Sequence, residues 1–231
     1  DNMRIGHEGE RSPMSLRVAY GVRRLFVHAV LLMTLGMAAP AAAKDIHILA
    51  FGDSLTAGYG LQPGQGFAPQ LEDALRRNGV RAFVTNGGVS GNTAAAGRAR
   101  LKWTLDGLDR KPDLAIVALG ANDMLRGLPP GQTRADMDAI VAEFRRRDIP
   151  VLVAGMISAP NLGSQYGNAY NSIFPDVARK YGAELYPFFL ANVAGDPKLN
   201  LPDRVHPNFQ GIKKMVSGIV PSVMRALAKA G

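Results

Sequence analysis

The stretch ILAFGDSLTAGYG, residues 48–60, joins an apolar run to a turn rich in glycine and other small residues. The run 47–51 has the length and composition of a short strand that is buried on both faces. It ends in Gly52-Asp53-Ser54, so a carboxylate and a hydroxyl follow directly on the strand. Ligands of open α/β sheets bind outside the carboxyl ends of the strands, which makes Ser54 a candidate functional residue.

Four more strand candidates follow along the chain, and each of them is short and mostly apolar. They are residues 82–85, 114–119, 151–155 and 184–186, with helical patterns between them. Strands that alternate with helices predict an α/β fold, in which a parallel sheet of five strands carries helices on both sides.

The helices are predicted from apolar residues that recur every three or four positions. One such pattern starts at Phe67, and Gly79 is expected to end it. Thr133 with Asp136 resembles a capping box and predicts that a second helix starts there. In the last helix Pro221 is expected to cause a kink or a restart.

Composition limits the classes of protein and of site that fit. The chain has 231 residues, of which 47% are hydrophobic and 20% charged, as in a globular protein with a sizeable core. It has no cysteine, which excludes disulfides, thiol nucleophiles and cysteine-bound zinc. The 27 lysines and arginines against 19 aspartates and glutamates are compatible with contact to an anionic lipid surface. No aromatic residues are interleaved with the basic ones, which disfavours nucleic acid as a partner.

Residues 1–43 have the pattern of a secretory signal. Arg23 and Arg24 precede an apolar stretch at 25–39, and a small-x-small sequence at 41–43 offers a cleavage site. The apolar stretch is short for a membrane span, so we expect cleavage rather than an uncleaved anchor. We therefore predict an N-terminal extension with a signal peptide over 1–43, one domain over 44–231, and a periplasmic or secreted protein.

A serine nucleophile needs a neighbouring base, and the histidines are few enough to choose among. The chain has 4 histidines, and within the predicted domain only His206 lies in a polar loop. His206 is therefore the candidate base for Ser54. Asp203, three residues earlier, is near enough in sequence to hold the second nitrogen of the ring.

Acyl transfer also needs donors for the oxyanion of its tetrahedral intermediate. Two segments that follow predicted strands offer them, NGGVSGNT at 86–93 and GANDMLRG at 120–127. We expect the backbone N–H groups of Ser54 and Gly91 and the side-chain amide of Asn122 to form this oxyanion hole.

The four segments together resemble the SGNH hydrolases, also called GDSL esterases and lipases. Ser54, Gly91, Asn122 and His206 stand in GDSLTAGYG, GVSGNT, LGANDMLRG and DRVHPN, in the order of the family's four blocks. The resemblance is nearest to the bacterial thioesterase I/lysophospholipase L1 and arylesterase subgroup. Thr56 stands where the nucleophile elbow of α/β-hydrolases would have glycine, which disfavours that other class.

The resemblance implies a flavodoxin-like three-layer α/β/α sandwich and a Ser-His-Asp mechanism without metal or cofactor. It implies an exported serine esterase that hydrolyses small to medium aryl or alkyl esters. Thioesterase, lysophospholipase and acyltransferase activities on the same site are alternatives, as is a lipid- or glycan-binding module without turnover. Relatives often have glycine after the triad aspartate, where this chain has Arg204.

The remaining unusual residues receive structural interpretations. Asp53 and Asp123 are expected to accept local hydrogen bonds in their turns. Trp103 and the pair Tyr166 and Tyr170 are interpreted as packing residues. Two further segments, 124–133 and 157–170, are predicted to be loops that set substrate preference.

Overall fold

The computed structural model describes residues 44–230, which contain one five-stranded sheet. All neighbouring strands are parallel, in the order β2-β1-β3-β4-β5. The strands are β1 (Ile46–Gly52), β2 (Ala82–Gly88), β3 (Leu114–Ala118), β4 (Val151–Ala154) and β5 (Glu184–Tyr186). Each of the five predicted strands is present within a few residues of its expected position.

Eight α-helices and one 3₁₀ turn, Pro160–Leu162, connect and cover the strands in this part of the chain. The helices are α1 (Ser54–Ala57), α2 (Phe67–Arg77), α3 (Ala94–Asp106), α4 (Ala121–Leu125), α5 (Pro130–Arg146), α6 (Ser164–Asn171), α7 (Ile173–Tyr181) and α8 (Phe209–Ala230).

The helices form one layer on each face of the sheet. Helices α2 and α8 pack against each other on one face, while α5 packs between α3 and α7 on the other. The sheet is buried between them, and Leu49, Phe51 and Ile116 in its central strands are at most 1% exposed. Removing such side chains from water contributes about 1.5–3 kcal/mol each. The predicted α/β class with its three-layer α/β/α sandwich is confirmed.

Helix α5 begins one turn earlier than its predicted capping box. Its first residue is Pro130, which suits this position because proline has the right φ and no N–H to leave unpaired. Thr133 does not cap the helix, because its hydroxyl donates to the Oδ1 of the buried Asp123. The capping-box prediction was therefore wrong.

Three other local predictions have mixed outcomes. Helix α8 runs without interruption through Pro221, so it does not restart there, and the alternative, a kink at Pro221, stays a prediction. The interpretation of Trp103 as a packing residue was wrong: it is 80% exposed, because Leu101 and Leu105 turn the opposite side of α3 toward the core. Tyr170 is fully buried and stacks on Tyr166, as expected of packing residues.

The predicted loop 157–170 contains the 3₁₀ turn and most of α6. No helix within residues 44–230 is both long and apolar enough to cross a membrane. The predicted signal peptide in 1–43 lies outside the described residues, so this segment and the domain boundary at 44 stay predictions.

Candidate active site

Ser54 lies at the edge of the sheet where the carboxyl ends of the strands meet. It is the first residue of α1, two positions beyond the end of β1. The turn before it is tightly packed, since a Cβ on Gly52 would lie 2.7 Å from the carbonyl oxygen of Ala118 at the end of β3. A Cβ on Gly88, at the end of β2, would lie 2.7 Å from the Cα of Ala57. The end of β3 therefore packs closely against the turn before α1, and the end of β2 against the end of α1.

Ser54, His206 and Asp203 form a chain of hydrogen bonds. The Nε2 of His206 lies 2.9 Å from the Oγ of Ser54, and its Nδ1 lies 2.7 Å from the Oδ2 of Asp203. A carboxylate can only accept, so Nδ1 carries the proton and Nε2 is left as the acceptor for the serine hydroxyl. This arrangement can move a proton from Ser54 to His206.

Asp203 is held by its own loop. Its Oδ1 accepts hydrogen bonds from the backbone N–H of Val205 at 2.9 Å and of His206 at 3.0 Å. These two backbone bonds, that of His206 first, together with the bond to the His206 ring lower the pKa of Asp203 to about 2. Asp203 is therefore a carboxylate throughout the neutral range.

Tyr59 was not predicted as a site residue, and it packs against the ring of His206. Its ring lies 4.4 Å from the ring of His206, centroid to centroid, and it is 52% exposed. The available signal was an aromatic residue in the glycine-rich stretch directly after Ser54. Contact with Tyr59 restricts the orientations of the imidazole on the side facing solvent.

Asn122 is placed by α4 on the wall of the same cleft as Ser54. Its Nδ2 donates to the carbonyl oxygen of Asn92 at 3.0 Å, and the Oδ2 of Asp53 lies 3.4 Å away. Gly120, just before α4, has a φ of 109°, and its carbonyl accepts a hydrogen bond from the buried Tyr170 hydroxyl at 2.7 Å. The start of α4 is thus anchored from two sides.

Gly91 lies in the loop that Asn122 contacts, although it does not line the cleft. It has a φ of 80°, which favours glycine, and its carbonyl accepts from the Nη2 of Arg126 at 2.9 Å. Within residues 44–230, the backbone N–H groups of Ser54 and Gly91 donate to no other residue. Both donors are available, and the role of Gly91 stays a prediction.

Two buried aspartates next to Ser54 and Asn122 in the sequence, Asp53 and Asp123, accept hydrogen bonds from the surrounding elements. Asp53 is 1% exposed and accepts the N–H of Leu55 at 3.0 Å, as predicted. Burial raises the pKa of Asp53 to about 6, against the opposing effect of the Leu55 bond. Asp123 accepts from the backbone of Ala94 and from Thr133, which ties α3 and α5 to α4. Burial also raises the pKa of Asp123.

The cleft beside Ser54 has a volume of about 470 Å³ and a mostly apolar wall. Arg204 is the one permanently charged residue among the described residues that line it. The apolar side chains of the wall are Leu55, Ala121, Met124, Leu125, Met156, Ile157, Ala159, Pro160, Phe188, Leu190, Ala194 and Val205.

Comparisons with known proteins agree with this site. The sequence profile of the GDSL-like Lipase/Acylhydrolase family matches residues 50–214. The chain is 35% identical over 178 residues to an arylesterase of Vibrio mimicus, covering 77% of this chain and 86% of that protein. It is 33% identical over 168 residues to thioesterase 1/protease 1/lysophospholipase L1 of Escherichia coli K12, covering 73% and 78% of the two chains.

A solved structure shares the fold as well as the sequence. The crystal structure of AlinE4, an SGNH-hydrolase family esterase, superimposes with a TM-score of 0.69 and 47% identity, covering 80% of this chain and 98% of that one. The resemblance to the SGNH hydrolases is thereby confirmed. The chain belongs to the GDSL-like lipase/acylhydrolase family and is an enzyme that acts on ester bonds.

Proposed function

We propose that this enzyme is a serine esterase that hydrolyses small to medium aryl or alkyl esters in the cleft beside Ser54. The observation that carries the proposal is the hydrogen-bonded chain from the Ser54 Oγ through His206 to Asp203, at 2.9 and 2.7 Å. Without an adjacent base a serine hydroxyl is a weak nucleophile, and this chain supplies the base.

In the proposed reaction Ser54 attacks the carbonyl carbon of the ester while Nε2 of His206 takes the hydroxyl proton. The carbonyl π bond opens to an oxyanion. As the intermediate collapses, the ester C–O bond breaks and His206 returns the proton to the leaving alcohol. Water then repeats both steps on the acyl-enzyme and releases the acid. Asp203 keeps the imidazole in the required tautomer and stabilises its protonated form.

The oxyanion would be held by the backbone N–H groups of Ser54 and Gly91 and by the amide of Asn122. One amide hydrogen of Asn122 is used by the carbonyl of Asn92, which fixes the plane of the group. The other amide hydrogen has only the longer contact, 3.4 Å to the Oδ2 of Asp53, and it is the one that would donate to the oxyanion. Donors fixed in advance lose little energy on reorganisation, which is why they favour the transition state.

The substrate class follows from the wall of the cleft. Its volume of about 470 Å³ is within the range of small-molecule sites, and its apolar lining suits an acyl chain or an aryl group. Similarity to a protein named arylesterase supports this class. Similarity to a protein named thioesterase 1 and lysophospholipase L1 favours a second candidate, hydrolysis of thioesters or lysophospholipids at the same serine.

One kinetic comparison separates these candidates. A chain-length series of p-nitrophenyl esters is measured beside an acyl-CoA and a lysophospholipid, and kcat/KM is compared. We expect the highest value for a short or medium p-nitrophenyl ester. Adding a competing alcohol and analysing the products distinguishes hydrolysis from acyl transfer. A binding module would turn over none of these compounds.

The decisive variant is Ser54→Ala, with Ser158→Ala as its control. Both serines line the cleft, but the hydroxyl of Ser158 bonds only the carbonyl of Ala159 among the described residues. We expect Ser54→Ala to lower kcat by roughly 10⁴- to 10⁶-fold and Ser158→Ala to change it little. Full activity in Ser54→Ala protein would overturn the assignment.

We also propose that the protein is exported, on the basis of the signal-like pattern in 1–43. Expression of the full chain in a bacterial host, followed by fractionation, tests this, with a mature protein beginning near residue 44 as the expected result. Contact with an anionic lipid surface is proposed from the excess of basic residues alone.

A further inference from the structure

Arg204 has a backbone conformation that is unusual for its residue type. Its φ is 59°, in the left-handed region that disfavours side chains with a Cβ. Within residues 44–230 the other non-glycine residues with positive φ are Asp148 and Asn192, whose short polar side chains tolerate this region. Glycine would remove the strain at position 204, so an arginine here carries a backbone cost that glycine would not.

The loop that carries Arg204 is closed at both ends. The N–H of Arg204 donates to the carbonyl of Leu201 at 2.9 Å, and the N–H of Leu201 donates to the carbonyl of His206 at 2.7 Å. Asn200 and Pro207 form an isolated β-bridge just outside them. The closed loop therefore fixes the position of Arg204 relative to His206.

The guanidinium of Arg204 is charged and has no protein partner in the described part of the chain. It lines the cleft together with Ser54 and His206. It is in none of the ion pairs of residues 44–230. Its neighbour Asp203 is bonded to His206 and Val205. Asp196 lines an adjoining cavity of about 130 Å³ with Arg204, but its Oδ1 accepts the N–H of Lys198.

Charge complementarity points to the ligand of this cation. The cleft wall is apolar apart from a few uncharged polar groups, His206 and Arg204, and it carries no carboxylate. An anionic group of a substrate would therefore meet one permanent positive charge, that of Arg204, and no negative charge on the wall. Guanidinium binds carboxylates and phosphates through paired hydrogen bonds.

The position of Arg204 near His206 indicates which part of the substrate it would contact. In the proposed reaction His206 returns its proton to the leaving oxygen, so the alcohol part of the ester departs beside His206. Arg204 is two residues away on the same closed loop. We propose that Arg204 is a specificity-determining residue that recognises an anionic group, phosphate or carboxylate, on the alcohol part of the ester. This inference rests on the proposed serine esterase function and adds a substrate class to it.

Matched pairs of esters test the proposal. The phosphate pair is 1-octanoylglycerol 3-phosphate and 1-octanoylglycerol. The carboxylate pair is O-octanoyl glycolic acid and the mono-octanoyl ester of ethylene glycol. Each pair shares its acyl chain and its type of ester bond and differs in the anion. We expect the wild-type enzyme to prefer an anionic ester in at least one pair, and the pair concerned identifies the anion.

Arg204→Gln removes the charge and keeps a Cβ at the strained position. We expect it to lower kcat/KM for the preferred anionic ester by roughly 5- to 10-fold, mainly through a higher KM. For the matched neutral ester we expect kcat/KM to change by less than about twofold. Added salt should reduce the preference of the wild-type enzyme for the anionic ester, whereas the ratio of kcat/KM for the two esters should not change with salt in the variant. Arg145→Gln is the control, because it removes the same charge from an exposed position at the end of α5 that does not line the cleft.

Arg204→Gly distinguishes the effect of the charge on ester preference from the effect of the strained backbone on stability. It removes the guanidinium and the strain together, so we expect it to lose the anionic preference as fully as Arg204→Gln while unfolding at a higher temperature. A folded Arg204→Gly enzyme that keeps the preference would overturn the proposal. If Arg204→Gln lowers kcat/KM equally for the anionic and the neutral ester, the proposal is also overturned, because such a result indicates a role of Arg204 in loop structure.

Failure of this proposal can be told apart from failure of the esterase proposal. A wild-type enzyme that favours the neutral ester of both pairs, or hydrolyses neither pair, contradicts the role of Arg204. Hydrolysis of p-nitrophenyl esters that disappears in Ser54→Ala would leave the serine esterase function standing in that case.

Discussion

The Nε2 of His206 lies 2.9 Å from the Oγ of Ser54, although 152 positions separate the two residues in the sequence. Ser54 is carried by the turn after β1, and His206 by the closed loop before α8. The sheet and α8 therefore bring Ser54 and His206 together, and the pair depends on the whole fold rather than on a local motif.

The amide of Asn122 should matter for the transition state more than for substrate binding. In Asn122→Ala the proposed oxyanion loses one donor, while the apolar wall of the cleft is retained. We expect kcat to fall by roughly 10²- to 10³-fold with KM little changed. Steady-state kinetics on a p-nitrophenyl ester measure both parameters. A large rise in KM at unchanged kcat would assign Asn122 to substrate binding instead.

Asp203 should remain ionised wherever the enzyme is active. Its pKa is lowered to about 2, so its contribution to stability is present above the ordinary value of 3.8 and is lost as the pH falls through about 2. A loss of activity in mild acid, well above pH 2, should therefore not come from protonation of Asp203.

Asp203→Asn gives the corresponding test of function. The asparagine oxygen can still accept the backbone N–H groups of Val205 and His206, but it no longer stabilises a protonated imidazole. We expect kcat to fall by roughly 10³- to 10⁴-fold, and Tm at neutral pH to fall modestly because the contribution of the carboxylate to stability is lost. A rate within a few fold of wild type would remove Asp203 from the proposed mechanism.

Asp53 should make stability depend on pH in the opposite direction. Burial raises its pKa from 3.8 to about 6, so the folded state favours the protonated form. Its contribution to stability is therefore greatest below the unfolded pKa and is lost as the pH rises through about 6. Complete loss corresponds to about 3 kcal/mol, given about 1.4 kcal/mol for each pKa unit.

Asp53→Asn lacks this titration. Urea unfolding of the wild type and of the variant at pH 4 and pH 7 gives the free energy of unfolding of each. Between pH 4 and pH 7 the free energy of unfolding of the variant should rise by about 2 kcal/mol relative to that of the wild type, because the unfolded aspartate is already partly ionised at pH 4. Asp73→Asn, which removes an exposed carboxylate from α2, is the control. A difference between wild type and Asp53→Asn that stays constant with pH would contradict the expectation.

Gly88 should be required for packing, because a Cβ there would meet the backbone of Ala57 at the end of α1. We expect Gly88→Ala to lower the free energy of unfolding by roughly 1–3 kcal/mol. It should also lower kcat, since α1 begins with Ser54. Gly131→Ala is the control, because a Cβ at that helical position meets nothing within 4 Å. Equal stability of the two variants would show that the end of α1 can move without cost.

The sheet and the central residues of the site could be predicted because their signals are local. A strand buried on both faces shows as an apolar run, and reactive residues placed after such runs must meet at one edge of a parallel sheet. Ser54 and Asn122 follow from this rule, and His206 follows because few histidines compete with it. The same reasoning selected Gly91, but Gly91 does not line the cleft, and its role stays a prediction.

The features that could not be predicted depend on partners far away in the sequence. Thr133 has a local capping pattern, but the buried carboxylate of Asp123 takes its hydroxyl. Helix α6 contains glycine and asparagine, which are weak helix formers, and burial of Tyr170 in the core favours it nevertheless. The positive φ of Arg204 results from closure of its loop onto Leu201 and Asn200.

Mapping of a covalent adduct tests the central claim most directly. A fluorophosphonate probe is incubated with the wild-type enzyme and with His206→Ala, and the modified peptides are identified by mass spectrometry. We expect one adduct, on Ser54, in the wild type and a much slower reaction in His206→Ala. An adduct on another serine that abolishes activity, or full inhibition with Ser54 unmodified, would contradict the account.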